Sequence, residues 1–142
     1  MARARMRADR LAPLLALALA ACAGATRPDC PGLRGEPGLQ ATLFLGRAVE
    51  GREPVSRGEW ERFAATEVTP RFPEGFTLLE GQGQWRNPAT GTVAQEETVV
   101  LLVVAAPGAK TLRRLDEIAA AWRGQFRQLS VGIVTAPVCA AF

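Results

Sequence analysis

Between Val99 and Val104 the chain reads VVLLVV, six apolar residues in succession. Along a strand, neighbouring side chains point to opposite faces, so such a run needs cover on both. Leu43, Phe44 and Leu45, inside the strand-like segment Ala41–Arg47 (ATLFLGR), make the same demand. A sheet with these two segments at its centre therefore requires a layer above and a layer below. The rest of the chain can be read for what supplies them.

Two helices are legible. Ser56 and Glu59 form an S-x-x-E capping box, and Val55 before it can pack on Trp60 as a hydrophobic staple. Trp60, Phe63, Ala64 and Val68 then recur at helical spacing. Pro70 stops the helix, because the residue before proline disfavours helical backbone. The second helix follows Pro107-Gly108, with Leu112, Leu115, Ile118, Ala119, Trp122 and Phe126 along one side. Between the helices, Pro70, Pro73 and Gly75 build a rigid turn. A second strand spans Phe76–Trp85, with Gly81 and Gly83 predicting a bulge. Asn87, Pro88 and Gly91 mark a turn into a third strand, Val93–Val104, and Val131–Val134 supplies the last.

The order β-α-β-β-α-β is that of an α+β, ferredoxin-like sandwich, in which the first and third strands are central. Its helices cover one sheet face only. A second copy, forming a dimeric α+β barrel, is the expected cover for the other; the N-terminal tether or a partner protein are the alternatives.

The N-terminus reads as an address. Arg3, Arg5, Arg7 and Arg10 precede the apolar run Leu11–Ala21, the layout of a secretory signal peptide. That run is about half the length needed to cross a ~30 Å hydrocarbon core. Leu19-Ala20-Ala21-Cys22 resembles the lipobox of bacterial lipoproteins, in which the cysteine takes the lipid after processing. Ala18-Leu19-Ala20 would also permit ordinary cleavage. The expected division is a signal peptide over 1–21, a lipidated Gly/Pro-rich tether over 22–38 and a single domain over 39–142. Two or more acyl chains anchor a protein stably. The expected location is the bacterial cell envelope, lipid-anchored in the outer membrane and facing the periplasm, since Ala23 rather than Asp follows the cysteine.

Processing also changes the charge. The chain has 17 basic and 14 acidic residues, and the signal removes four arginines and one aspartate, leaving thirteen of each. The mature domain thus carries no basic excess to suggest nucleic-acid binding. Histidine and tyrosine are absent and Lys110 is the only lysine. That excludes histidine triads and histidine metal sites. No Gly-rich phosphate loop appears, and neither a cofactor nor a metal is expected. Cys30 and Cys139 remain, and in an oxidising periplasm a disulfide is the simplest fate for two cysteines. Free thiols, one of them reactive, are the alternative.

From Leu43 to Phe142 the chain resembles an uncharacterised family of bacterial envelope proteins, domain of unknown function 3574. The resemblance rests on Leu43–Arg47 (LFLGR), Glu67–Gly75 (EVTPRFPEG), Gly83–Arg86 (GQWR), Glu96 and Phe126-Arg127-Gln128. The family usually carries a basic residue near Val99, which this chain lacks. The resemblance implies a secreted single domain and supplies no activity.

The same blocks hold the candidate binding residues: Glu67, Arg71, Gln84, Trp85, Arg86 and Glu96. Arg71, set between two prolines, could hold a carboxylate or phosphate in bidentate fashion. It could equally be a structural clamp paired with Glu67 or Glu96. Three functions compete. The first is a non-enzymatic binding or structural module for an envelope protein or small ligand. The second is a small barrel-like enzyme using Glu96 or Glu67 beside Arg71. A Cys30/Cys139 redox protein ranks last, because the cysteines are far apart in sequence.

Overall fold

A computed structural model describes Cys30, Gly32 and residues 34–142. The signal segment, Cys22 and the tether as far as residue 29 lie outside the described residues. The elements are β1 (Glu36–Gly46), α1 (Arg57–Phe63), β2 (Thr77–Arg86), β3 (Val93–Ala105), α2 (Ala109–Phe126) and β4 (Gly132–Ala140). They build one antiparallel sheet in the order β2-β3-β1-β4. This is the ferredoxin-like arrangement, with β1 and β3 at the centre.

Three local expectations need correction. β1 begins at Glu36, so residues 36–38, read as tether, belong to the sheet. Pro37 is tolerated because pairing with β3 starts only at Leu39↔Ala105, which leaves the strand end beside β4 alone. β4 runs on to Ala140, so Cys139 lies inside it, opposite Pro37. No bulge interrupts β2, which pairs with β3 in continuous register from Thr77 to Arg86. Gly81 and Gly83 sit opposite Thr98 and Glu96 and simply keep the surface low there.

Alternation divides the sheet. Ala41, Leu43 and Leu45 of β1 and Val99, Leu101 and Val103 of β3 are at most 1% exposed and meet the helices. Trp122, fully buried, donates its indole N–H to the Gly46 carbonyl at 3.1 Å and so ties α2 to the end of β1. Its ring meets Phe63 of α1 edge-on, with centroids 4.9 Å apart, and Phe126 at 4.4 Å. Such aromatic pairs stabilise by about 0.5–1.5 kcal/mol beyond their buried area. Leu112, expected on the buried stripe of α2, is instead 47% exposed. Cys30 and Cys139 are joined, with Cα atoms 5.6 Å apart, linking the approach to β1 with the end of β4.

The first helix starts and stops for separate reasons. At its start the Glu59 carboxylate accepts the Ser56 backbone N–H at 2.8 Å and the Ser56 hydroxyl at 2.9 Å, and pairs with Arg52 at 2.8 Å. At its end the backbone widens into a π-helical turn over Ala64–Val68, closed by Thr69 N–H to the Ala64 carbonyl at 2.9 Å. Trp60, Phe63, Ala64 and Val68 are all buried.

The backbone hydrogen bond from Ser56, then Arg52 and the Ser56 hydroxyl, lower the Glu59 pKa from the ordinary 4.5 to about 2. A carboxyl group more acidic in the folded than in the unfolded chain stabilises fully above its unfolded value and loses that effect as pH falls through the folded one. The expected outcome is that Glu59→Gln melts below the parent at pH 7, and that the gap closes as pH falls from 4.5 to about 2. Thermal melts over that range check it; a gap independent of pH contradicts it.

Candidate functional site

The residues singled out by the sequence do not converge. Arg71 Nη1 donates to the Glu67 carbonyl at 2.7 Å and to its carboxylate at 2.9 Å, while Nε reaches Glu117 of α2 at 3.1 Å. Arg71 and Glu67 thus join the end of the π-turn to α2. The rigid Pro70–Pro73 turn aims the guanidinium back at the helices rather than outward. Of the two clamps envisaged for Arg71, the structure forms the one with Glu67; Glu96 is elsewhere.

Glu96 accepts the Ala48 N–H at 3.2 Å, where the chain leaves β1. A Cβ added at Gly46 would lie 2.8 Å from the Glu96 carboxylate, so glycine is what admits it. Glu97, on the other face, pairs with Arg47 at 2.9 Å. Gln84 accepts from Gln95 across the strands at 3.3 Å. Gln82, Gly83, Gln84, Gln95, Glu96 and Glu97 line a shallow depression of about 380 Å³. Arg86 instead donates to the Gly91 carbonyl at 2.9 Å and closes the hairpin turn. Trp85, half-buried, stands opposite Ala94 and on the sheet face away from Gln84. The six candidates therefore do not form one site, and five of them, Glu67, Arg71, Gln84, Arg86 and Glu96, bond to the protein itself.

Two larger features remain, the first not read from the sequence and the second expected from the apolar runs of β1 and β3. One is a cleft of about 770 Å³ where β1 outruns β3, between the Phe72–Gly75 turn and the start of α2. A signal for it was present: Lys110 falls in the first turn of α2, which holds no acidic residue. Anionic side chains are the ones favoured there. The other is the sheet face turned away from the helices. Phe44, Leu79 and Val134 are 45%, 50% and 58% exposed on it, beside half-buried Val100, Leu102 and Val104.

No group of three or more Cys, Asp or Glu side chains among the described residues is placed to hold a metal ion. No helix among them is long and apolar enough to cross a membrane.

Among solved structures the fold is similar to phage SAM lyase in complex with S-methyl-5'-thioadenosine. The TM-score is 0.59 at 14% identity, over 72% of this chain and 90% of that one. The same phage enzyme in the apo state gives 0.54 at 14% identity, over 75% and 92%. At that identity the likeness is one of fold. No curated protein matches the chain. The model of the family described as protein of unknown function DUF3574 matches residues 40–142, the whole sheet-and-helix unit from within β1 onward, and the chain belongs to that family.

Proposed function

We propose that this protein is an exported envelope lipoprotein, lipidated at Cys22, whose domain is a non-enzymatic binding module that pairs with a second copy through its open sheet face. The observation that supports pairing is the composition of that face. Rows Leu79–Val100–Phe44 and Thr77–Leu102–Thr42–Val134 run across all or most of the sheet without a charge. Among the described strand residues alternating onto it, Glu36 and Glu96 are the charged ones, and they stand at opposite ends.

A face of this kind is self-complementary, which a two-fold interface requires. Size is also adequate. Four strands about 4.8 Å apart and roughly 33 Å long present about 600 Å² in projection, close to the ~800 Å² of accessible surface per partner in stable complexes. Stacked sheets sit about 10 Å apart, a spacing the projecting Phe44 and Leu79 would fill.

The anchor follows from the sequence. With Cys22 acylated, eight residues lead to Cys30, a reach of at most ~28 Å, so the domain would work close to a membrane surface.

A second reading, an enzyme, draws on the fold likeness to phage SAM lyase. Of the two forms suggested by sequence, Arg71 beside Glu96 lacks its geometry; Arg71 does stand beside Glu67, but as part of an ion pair that also takes in Glu117.

Three outcomes are expected. Metabolic labelling with a palmitate analogue marks the mature chain, and Cys22→Ala abolishes the label and releases the protein from membranes; a label that survives the substitution rules out that anchor. Full-length protein extracted in mild detergent sediments as a dimer. Phe44→Asp or Leu79→Asp weakens dimerisation at least tenfold with little change in secondary structure, because both side chains are exposed in the single copy; a monomeric parent contradicts the pairing. Incubation with SAM yields no S-methyl-5'-thioadenosine by mass spectrometry, and its appearance would favour the enzyme.

A further inference from the structure

β1 overhangs the sheet at one end: Glu36, Pro37 and Gly38 pair with β4 but have no β3 residue on their other side. The space left there is the cleft of about 770 Å³. Its apolar lining includes Phe72, 2% exposed, with Val104 and Ala105. Around this lining stand Arg34, Glu36, Glu74, Lys110 and Arg114. Elsewhere Arg47, Arg52, Arg57 and Arg71 are all tied into ion pairs with glutamates. None of the five cleft charges pairs with another described residue, although both signs line one cavity. Arg114 rests its guanidinium 5.9 Å from the centre of the Phe72 ring.

The start of α2 points the same way. The positive end of a helix favours acidic side chains, and here the first turn carries Lys110, with Arg114 one turn further on the cleft side. That arrangement disfavours the empty helix end and is offset when an anionic group lies beside it. A simple anion is a poor match for the whole cleft, however, because Glu36 and Glu74 would repel it. A simple cation would meet the same objection from Lys110, Arg114 and Arg34.

We infer that the cleft binds a small zwitterionic ligand with an apolar body. Its anionic group lies against Lys110 and Arg114, its cationic group against Glu74 and Glu36, and its apolar body against Ala105, Ala106 and Pro107. The volume falls in the 300–1,000 Å³ range of small-molecule sites and suits a ligand of about tripeptide size. One wall is formed by residues 34–38 and the Ala140–Phe142 tail, segments that the Cys30–Cys139 disulfide joins. Gly35 lies so tightly on the Ala140 carbonyl that a Cβ there would collide with backbone. Glu36 and Val104 stand at the margin of the open sheet face, and Phe72, Glu74, Lys110 and Arg114 lie off it.

Calorimetric titration of the full protein with the tripeptide Ala-Phe-Ala, its N-acetylated form and its C-amidated form tests the inference. All three share one body and differ only in end charge. The free tripeptide is expected to bind at least tenfold more tightly than either capped form. In Lys110→Gln/Arg114→Gln the cost of amidation disappears, and in Glu36→Gln/Glu74→Gln the cost of acetylation disappears, with melting temperatures confirming that both variants fold. Equal binding of the three peptides, no binding at millimolar concentration, or capping costs unchanged in the charge variants would each overturn it.

Discussion

Antiparallel pairing of β1 with β3 is the interaction on which the rest of this structure depends. From Leu39↔Ala105 to Gly46↔Thr98 the two strands share a continuous register, and both carry apolar side chains on both faces. The helix-side set, including Leu43, Leu45, Leu101 and Val103, is almost wholly removed from water. Each such burial contributes roughly 1.5–3 kcal/mol, which makes this layer the main source of stability. The helices are positioned by it: Trp122 bonds to the β1 backbone at Gly46, and Phe63 packs against Trp122. The opposite set, including Phe44, Val100 and Leu102, is produced by the same strands and has no layer of this chain over it among the described residues.

Two groups of charged residues differ in what holds them. Arg47, Arg71 and Arg86 bind backbone carbonyls, and Arg47 and Arg71 bind carboxylates as well, so each fixes a place where the chain changes direction. Ion pairs this exposed contribute about 0–1 kcal/mol each, so their value lies in fixing geometry more than in stability. The cleft charges, by contrast, have no oppositely charged partner among the described residues, and Lys110 among them violates the charge preference of a helix start. Departures from local rules of this kind tend to collect where a protein meets a ligand.

Much of the fold was legible because it is written in short-range patterns. The Ser56/Glu59 cap, the Trp60–Val68 stripe and the Leu115–Phe126 stripe depend on spacing alone, and both helices form where expected. The strand ends were less so. Pro37 falls in the expected tether and the last strand is expected only to Val134, yet Pro37 and Pro137 both sit in β1–β4 pairing that the neighbouring sequence does not announce. Leu112 was assigned to the core by its spacing, although it lies on the flank of α2. The candidate site was the least legible part. Arg71 could be judged stiffly held, but whether it faced Glu67, Glu96 or a ligand depended on how the turn docks against α2, a long-range fact. The zwitterion-sized cleft draws on Arg34, Glu74 and Lys110, whose proximity exists only after the sheet closes.

The account turns on whether the open face of β1 and β3 is covered in the working protein. Hydroxyl-radical footprinting read residue by residue by mass spectrometry measures this directly, at protein concentrations below and above dimer formation. Leu112 and Leu129, 47% and 75% exposed on α2 and in the loop after it, serve as internal references. Pairing through the sheet predicts that oxidation of Phe44, Leu79 and Val134 falls as concentration rises while Leu112 and Leu129 react unchanged. Oxidation of Phe44 and Leu79 that stays constant at every concentration would contradict the account.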